Sequence, residues 1–168
     1  MTYYLLKSAI LTNKVFKEIN RVLKPEGIVI IGFARYINTR KNGNLRLKNS
    51  VAILSKDGGM LIYDKQLLAD SDHHEDKKYF KAGKKSKIFN IQLKDKQVKI
   101  GTPICEDMWH INHERNIPKE MVEMGAEFLI SINQSYFYYG KQKLREDLFK
   151  GLSSDLNVPI VSVNSVGV

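Results

Sequence analysis

The apolar residues of this chain come in short runs of five to eight, such as IVIIGFA and EFLISIN, divided by polar segments and by stretches of helical spacing. Runs of that length suit strands buried in a sheet and fall well short of the roughly 18 residues that suggest a membrane-spanning helix. No span is expected. The N-terminal MTYYLLKSAILTNKVFKE has neither the charge order nor the small-residue cleavage site of a secretory signal, so a cytoplasmic location is expected. A chain of 168 residues, 43% of them hydrophobic, can bury one sizeable core and reads as one globular unit.

The spacing of the runs predicts the elements. Val15, Phe16, Ile19, Val22 and Leu23 recur at helical intervals within residues 5–23, and Pro25 with Gly27 supplies a stop. GIVIIGFA (27–34), SVAILS (50–55) and MLIYDK (60–65) read as strands, the last two joined by a tight turn at DGG. Residues 66–87 lose the apolar pattern and read as a long surface loop. IFNIQL and QVKIGTPI resume as strands around KDK. Pro118 opens a short helix that Gly125 ends, and EFLISIN is a buried-type strand. Residues 141–156 set Leu144, Leu148, Phe149, Leu152 and Leu156 on one helical face, before a final strand VPIVSVNS (158–165). Strands alternating with helices imply an α/β layered fold. Both ends fall on core-type patterns, so the chain reads as a piece cut from a larger domain.

The formal charge is +9, which raises nucleic acid as a partner class. The basic residues are scattered, and the single compact run, KAGKKSK at 81–87, has no interleaved aromatics to stack bases. It reads as a solvated loop, with no nucleic-acid partner. His73 and His74 among Asp70, Asp72, Glu75 and Asp76, and His110 with His113, follow no recognised ligand spacing, so no metal is expected.

Cys105 is the only cysteine, which rules out an internal disulfide and leaves a free thiol. It ends a strand in IGTPICEDMW, where a strand-to-loop turn exposes a side chain and aims successive backbone N–H groups at one point. A thiolate there needs a cation, and Lys65, closing MLIYDK and opening the polar loop, is the lysine that stands out. In INQSYFYYGKQKLRED (132–147) a strand ends at Asn133 and Ser135, and an aromatic stretch runs through Gly140 into a helix. Ser135 and Lys141 there offer a hydroxyl and a cation to a pocket.

Together these segments resemble the nitrilase superfamily of carbon-nitrogen hydrolases, most closely the glutamine amidase domains of glutamine-dependent NAD synthetases. ICEDMW is similar to that family's nucleophile strand, and DGGMLIYDK followed by EDKKYFKAG to its lysine strand and following loop. Asn133, Ser135, Gly140, Lys141 and Arg145 fit a further family pattern, as does the closing VNSVG. The resemblance implies an α-β-β-α sandwich, incomplete here, with residues 1–168 a partial glutaminase domain that lacks the first-strand region, the C-terminal elements and the synthetase domain. It implies a Glu-Lys-Cys triad. Cys105 would be the nucleophile, Lys65 the thiolate and oxyanion stabiliser, and the backbone N–H of Glu106 a second oxyanion donor. Ser135 and Lys141 would hold the substrate glutamine, and Glu75 or Asp76 would be an auxiliary acid.

The implied activity is hydrolysis of the glutamine side-chain amide, supplying ammonia for ATP-dependent NAD synthesis from deamido-NAD. ATP and deamido-NAD would bind the synthetase domain, fused or associated, and no cofactor is expected in this chain. Homo-oligomers are also implied. The sequence departs from the family in two places. The general-base glutamate belongs to a segment upstream of these residues, and neither Glu18 nor Glu26 has a claim to its role. LADS stands where the family has Leu-Pro-Asn-Tyr. Loss of a general base costs roughly 10² to 10⁴ in rate, so weak turnover is expected. The alternatives are a non-catalytic truncated domain with a scaffold or partner-binding role, and an amidase for another small amide.

Overall fold

The computed structural model describes residues 2–39, 45–71 and 74–165, which divide into two units, Met1–Lys85 and Ser86–Val168. In the first, helix α1 (Thr2–Val22) leads to strands β1 (Ile28–Thr39), β2 (Leu45–Ser55) and β3 (Met60–Asp64), an antiparallel meander in that order. Phe16 of α1 meets Phe33 of β1 edge to face, centroids 5.1 Å apart. Val15 and Val22, placed by their spacing on the same apolar stripe, remain exposed. The DGG turn forms as expected. Gly58 takes φ +83, where only glycine is at ease, and the Asp57 carboxylate accepts from the Gly59 N–H at 3.1 Å.

β1 and β2 run longer than the apolar runs suggest, because their polar ends pair too. Arg35 stands directly opposite Lys48, an arrangement that would repel if nothing intervened. Asp64 of β3 lies beside both: Arg35 donates to it through two nitrogens at 2.7–3.0 Å, Lys48 Nζ at 2.7 Å and Ser50 Oγ at 2.7 Å. Burial pushes the Asp64 carboxyl up, but the bonds from Arg35, Lys48 and Ser50 outweigh it and hold it below its ordinary value. Arg35 and Lys48, two of the charged residues in these strands, are thus tied together by the third strand.

The segment expected to be a long surface loop contains short elements of its own. Strands β4 (Asp70–Ser71) and β5 (His74–Glu75) form a two-residue ladder that leads into a single turn, α2 (Asp76–Tyr79). Backbone donors are satisfied against the sheet: Lys81 N–H binds Leu47 O at 2.9 Å, and Gly83 N–H binds Lys65 O at 2.7 Å. Gln66 and Ala69 are buried. Polar composition concealed this, because the segment is held mainly by backbone bonds rather than by an apolar stripe. Asp72 and His73 lie outside the described residues, as do Val166 and Gly167 at the end of the VNSVG match. Lys81, Lys84, Lys85 and Lys87 are exposed, as a solvated basic run should be.

In the second unit, β6 (Ile88–Leu93) and β7 (Lys96–Gly101) form a hairpin, and β8 (Phe128–Asn133) and β9 (Ile160–Asn164) continue the sheet in parallel, order β6-β7-β8-β9. Parallel neighbours need crossovers. Helix α3 (Ile117–Glu123) lies between β7 and β8 in the chain, and α4 (Lys141–Leu156) between β8 and β9. Asn116 caps α3, its Oδ1 accepting from Lys119 N–H at 3.0 Å, with Pro118 in the first turn and Gly125 ending it at φ +101. The core gathers Phe89, Ile91, Val98, Ile100, Met108, Ile117, Met121 and Leu129. On α4 the expected stripe is covered fully only at Leu152, and Leu144 stays 47% exposed. Among the described residues no helix is long and apolar enough to cross a membrane.

Candidate active site

β7 carries the chain through Thr102 and Pro103, both buried, to Ile104, which bridges to Ile132 of β8. Cys105 follows at φ +46, a left-handed conformation that costs a non-glycine residue roughly 1–3 kcal/mol. Strain of this kind persists only where the surroundings impose it. The imposing group is Asp107, wholly buried, whose Oδ2 accepts from the Ile104 N–H at 3.0 Å while its own N–H donates to Ile104 O at 3.0 Å. Cys105 to Met108 thereby close into a tight 3-10 turn, with the thiol half-buried at its start. The Glu106 side chain points away to His113 Nε2 at 2.9 Å.

The loop after β8 is clamped from the neighbouring strand. Asn133, buried, donates through Nδ2 to Ser162 Oγ and Val163 O, each at 3.1 Å. Asn164 of β9 accepts from the Ser135 N–H at 3.0 Å. Ser135 is therefore fixed through its backbone. Gly140, at φ +84, then turns the chain into α4, where Lys141 is the first residue. Its ammonium lies 4.1 Å from the Trp109 ring centroid, 5.2 Å from that of Tyr138 and 5.4 Å from that of Tyr136. These rings are within the reach of a cation–π attraction.

In the first unit Lys65 is 3% exposed, and its Nζ donates to Asp76 Oδ2 at 2.5 Å. Asp76 also accepts from the Ala69 N–H at 3.2 Å. Of the two adjacent acids, Asp76 is the one that reaches Lys65; Glu75 holds Lys78 at 3.2 Å and Tyr79 at 3.3 Å on the surface. Gly83 closes the arrangement. A Cβ there would lie 2.2 Å from Asp64 O, so the loop approaches the Lys65 strand end as only glycine permits. Among the described residues no cluster of His, Cys, Asp and Glu is arranged to hold a metal ion.

A family model described as carbon-nitrogen hydrolase matches residues 2–168. The chain belongs to this family. It is 30% identical over 155 residues to a glutamine-dependent NAD(+) synthetase from Acinetobacter baylyi, covering 92% of this chain and 26% of that protein. It is 27% identical over 153 residues to the corresponding synthetase of Synechocystis sp., covering 86% of this chain and 27% of that one. The fold matches the structure of the glutamine-dependent NAD+ synthetase from Acinetobacter baumannii at TM-score 0.79 and 26% identity, over 98% of this chain and 29% of that chain. The chain thus spans about a quarter of these relatives' length and has the mixed α/β fold of the nitrilase superfamily.

Sequence reasoning named Cys105, Lys65, Ser135 and Lys141 but assigned nothing to Asp107, Asn164 or the aromatic neighbours of Lys141. For Asp107 the available signal was a second carboxylate, next to Glu106 and two residues after the cysteine, at the end of an apolar strand. For Tyr136 and Tyr138 it was the aromatic run 136–139, which lies between the pocket candidates Ser135 and Lys141.

Proposed function

We propose that this chain carries the cysteine centre of a glutamine-hydrolysing domain that supplies ammonia for ATP-dependent amidation of deamido-NAD on a synthetase domain, fused or associated. The observation that carries the reading is the Cys105 turn: a lone thiol at a strained residue, at the end of a parallel strand, with Ser135 held by the clamped β8 loop and Lys141 by three aromatic rings in the same unit. In this reading the Cys105 thiolate attacks the amide carbon, the carbonyl oxygen takes the electron pair, and ammonia leaves with a proton to give a thioester. Water then hydrolyses the thioester, releasing glutamate and restoring the thiol. Lys65, held by Asp76, is assigned to stabilising negative charge, and the backbone N–H of Glu106 to the oxyanion. Ser135 and Lys141 are assigned to the amino-acid head group of the substrate.

None of the residues assigned here takes the part of general base. Covalent chemistry at the thiol remains the direct test. A glutamine-analogue diazoketone is expected to add once, on Cys105, as located by mass spectrometry of the digested protein. An adduct on another residue, or none, would remove the reading.

A further inference from the structure

The lysine at the start of α4 is held in an unusual way. A lysine side chain is flexible and strongly hydrated, and a surface lysine ordinarily ends in water or on a carboxylate. Among the described residues no carboxylate pairs with Lys141. Instead three rings from two separate segments surround its ammonium, Trp109 beyond the cysteine turn and Tyr136 and Tyr138 beyond β8. The tyrosine rings contact each other at 5.8 Å. Ring faces attract a cation without taking up its N–H groups as a carboxylate would. The charge is therefore fixed in place while its donors stay available to an anion.

We propose that Trp109, Tyr136 and Tyr138 are positioning residues that make Lys141 a receptor for the carboxylate of an amino-acid amide, and so select such substrates over neutral amides. The inference rests on the amidase reading and adds the specificity device. Trp109 is the decisive ring. It makes the shortest of the three contacts and lies four residues from the thiol, so it ties the anion receptor to the segment that carries Cys105. A neutral amide would leave the ammonium desolvated on the ring side and unanswered on the other.

The test compares rates of Cys105 labelling by the glutamine-analogue diazoketone and by its α-carboxamide derivative, which lacks the negative charge, with iodoacetamide as a small neutral control. The charged reagent should be preferred by about tenfold or more in the unaltered chain. Lys141→Met should abolish the preference, Trp109→Leu should reduce it about fivefold, and Trp109→Phe should keep most of it. The loss should appear in the reagent concentration for half-maximal rate and not in the saturating rate. Unchanged iodoacetamide rates and circular dichroism identify folded variants, and Tyr138→Leu serves where Trp109→Leu fails to fold. Because Trp109 is the only tryptophan, its emission reports the contact directly and should shift in Lys141→Met. Full preference in folded Trp109→Leu or Tyr138→Leu, or unshifted emission in Lys141→Met, would overturn the inference and leave the amidase reading intact. Failure of the carboxylate-bearing diazoketone to label Cys105 in the unaltered chain would remove both.

Discussion

Lys65 is a buried cation, and a charge is kept out of water only where a partner compensates it. For Lys65 that partner is Asp76, so Asp76→Ala leaves an ammonium that is 3% exposed without its counter-ion. The expected cost is about 3–5 kcal/mol in urea unfolding. Glu75→Ala, one residue earlier, should change stability by less than about 0.5 kcal/mol, because Glu75 engages only exposed groups. Equal effects would show that the Lys65 pair does not carry the segment. The sequence placed an acid at 75 or 76 and left both open. Adjacent side chains leave a backbone in different directions, and which one returns to Lys65 depends on the start of α2.

At the scale of elements, the meander of β1, β2 and β3 is joined by one carboxylate answering two cations. In the folded chain the Asp64 carboxyl titrates below its ordinary value of 3.8, so the group stabilises the fold fully above that value and progressively less as pH falls through its lower folded value. Urea midpoints measured between pH 7 and pH 2 should therefore fall at the acid end. Asp64→Asn should be less stable near neutrality by about 1–3 kcal/mol and should flatten that fall. An acid-end fall as steep as that of the unaltered chain would exclude Asp64 as its source. Strands, turns and helix starts were readable in the sequence because period, glycine and proline act locally. The lengths of β1 and β2 were not, since Arg35 and Lys48 are tolerated only through a third strand distant in sequence.

On the scale of the whole chain, the described residues form two units, and the basic run at 81–87 spans the boundary at Lys85. Its lysines are exposed and its backbone is irregular, which are the properties that admit a protease. Limited trypsin digestion should cut first within this run; early cutting inside β2 or β7 would contradict it. The basic residues behind the net charge of +9, which could have suggested a nucleic-acid partner, are scattered along the sequence, and the family relationship rests on other features. By itself the sequence determined the α/β class, the order of most elements, and the thiol, lysine, serine and acid segments, because these depend on local periodicity and on short motifs. Only the tertiary structure decided that Asp76 rather than Glu75 meets Lys65, that Asp107 holds Cys105 in a strained turn, and that three rings gather on Lys141. Each of those outcomes is a meeting of side chains or backbone groups set by the three-dimensional course of the chain, which residue spacing does not encode.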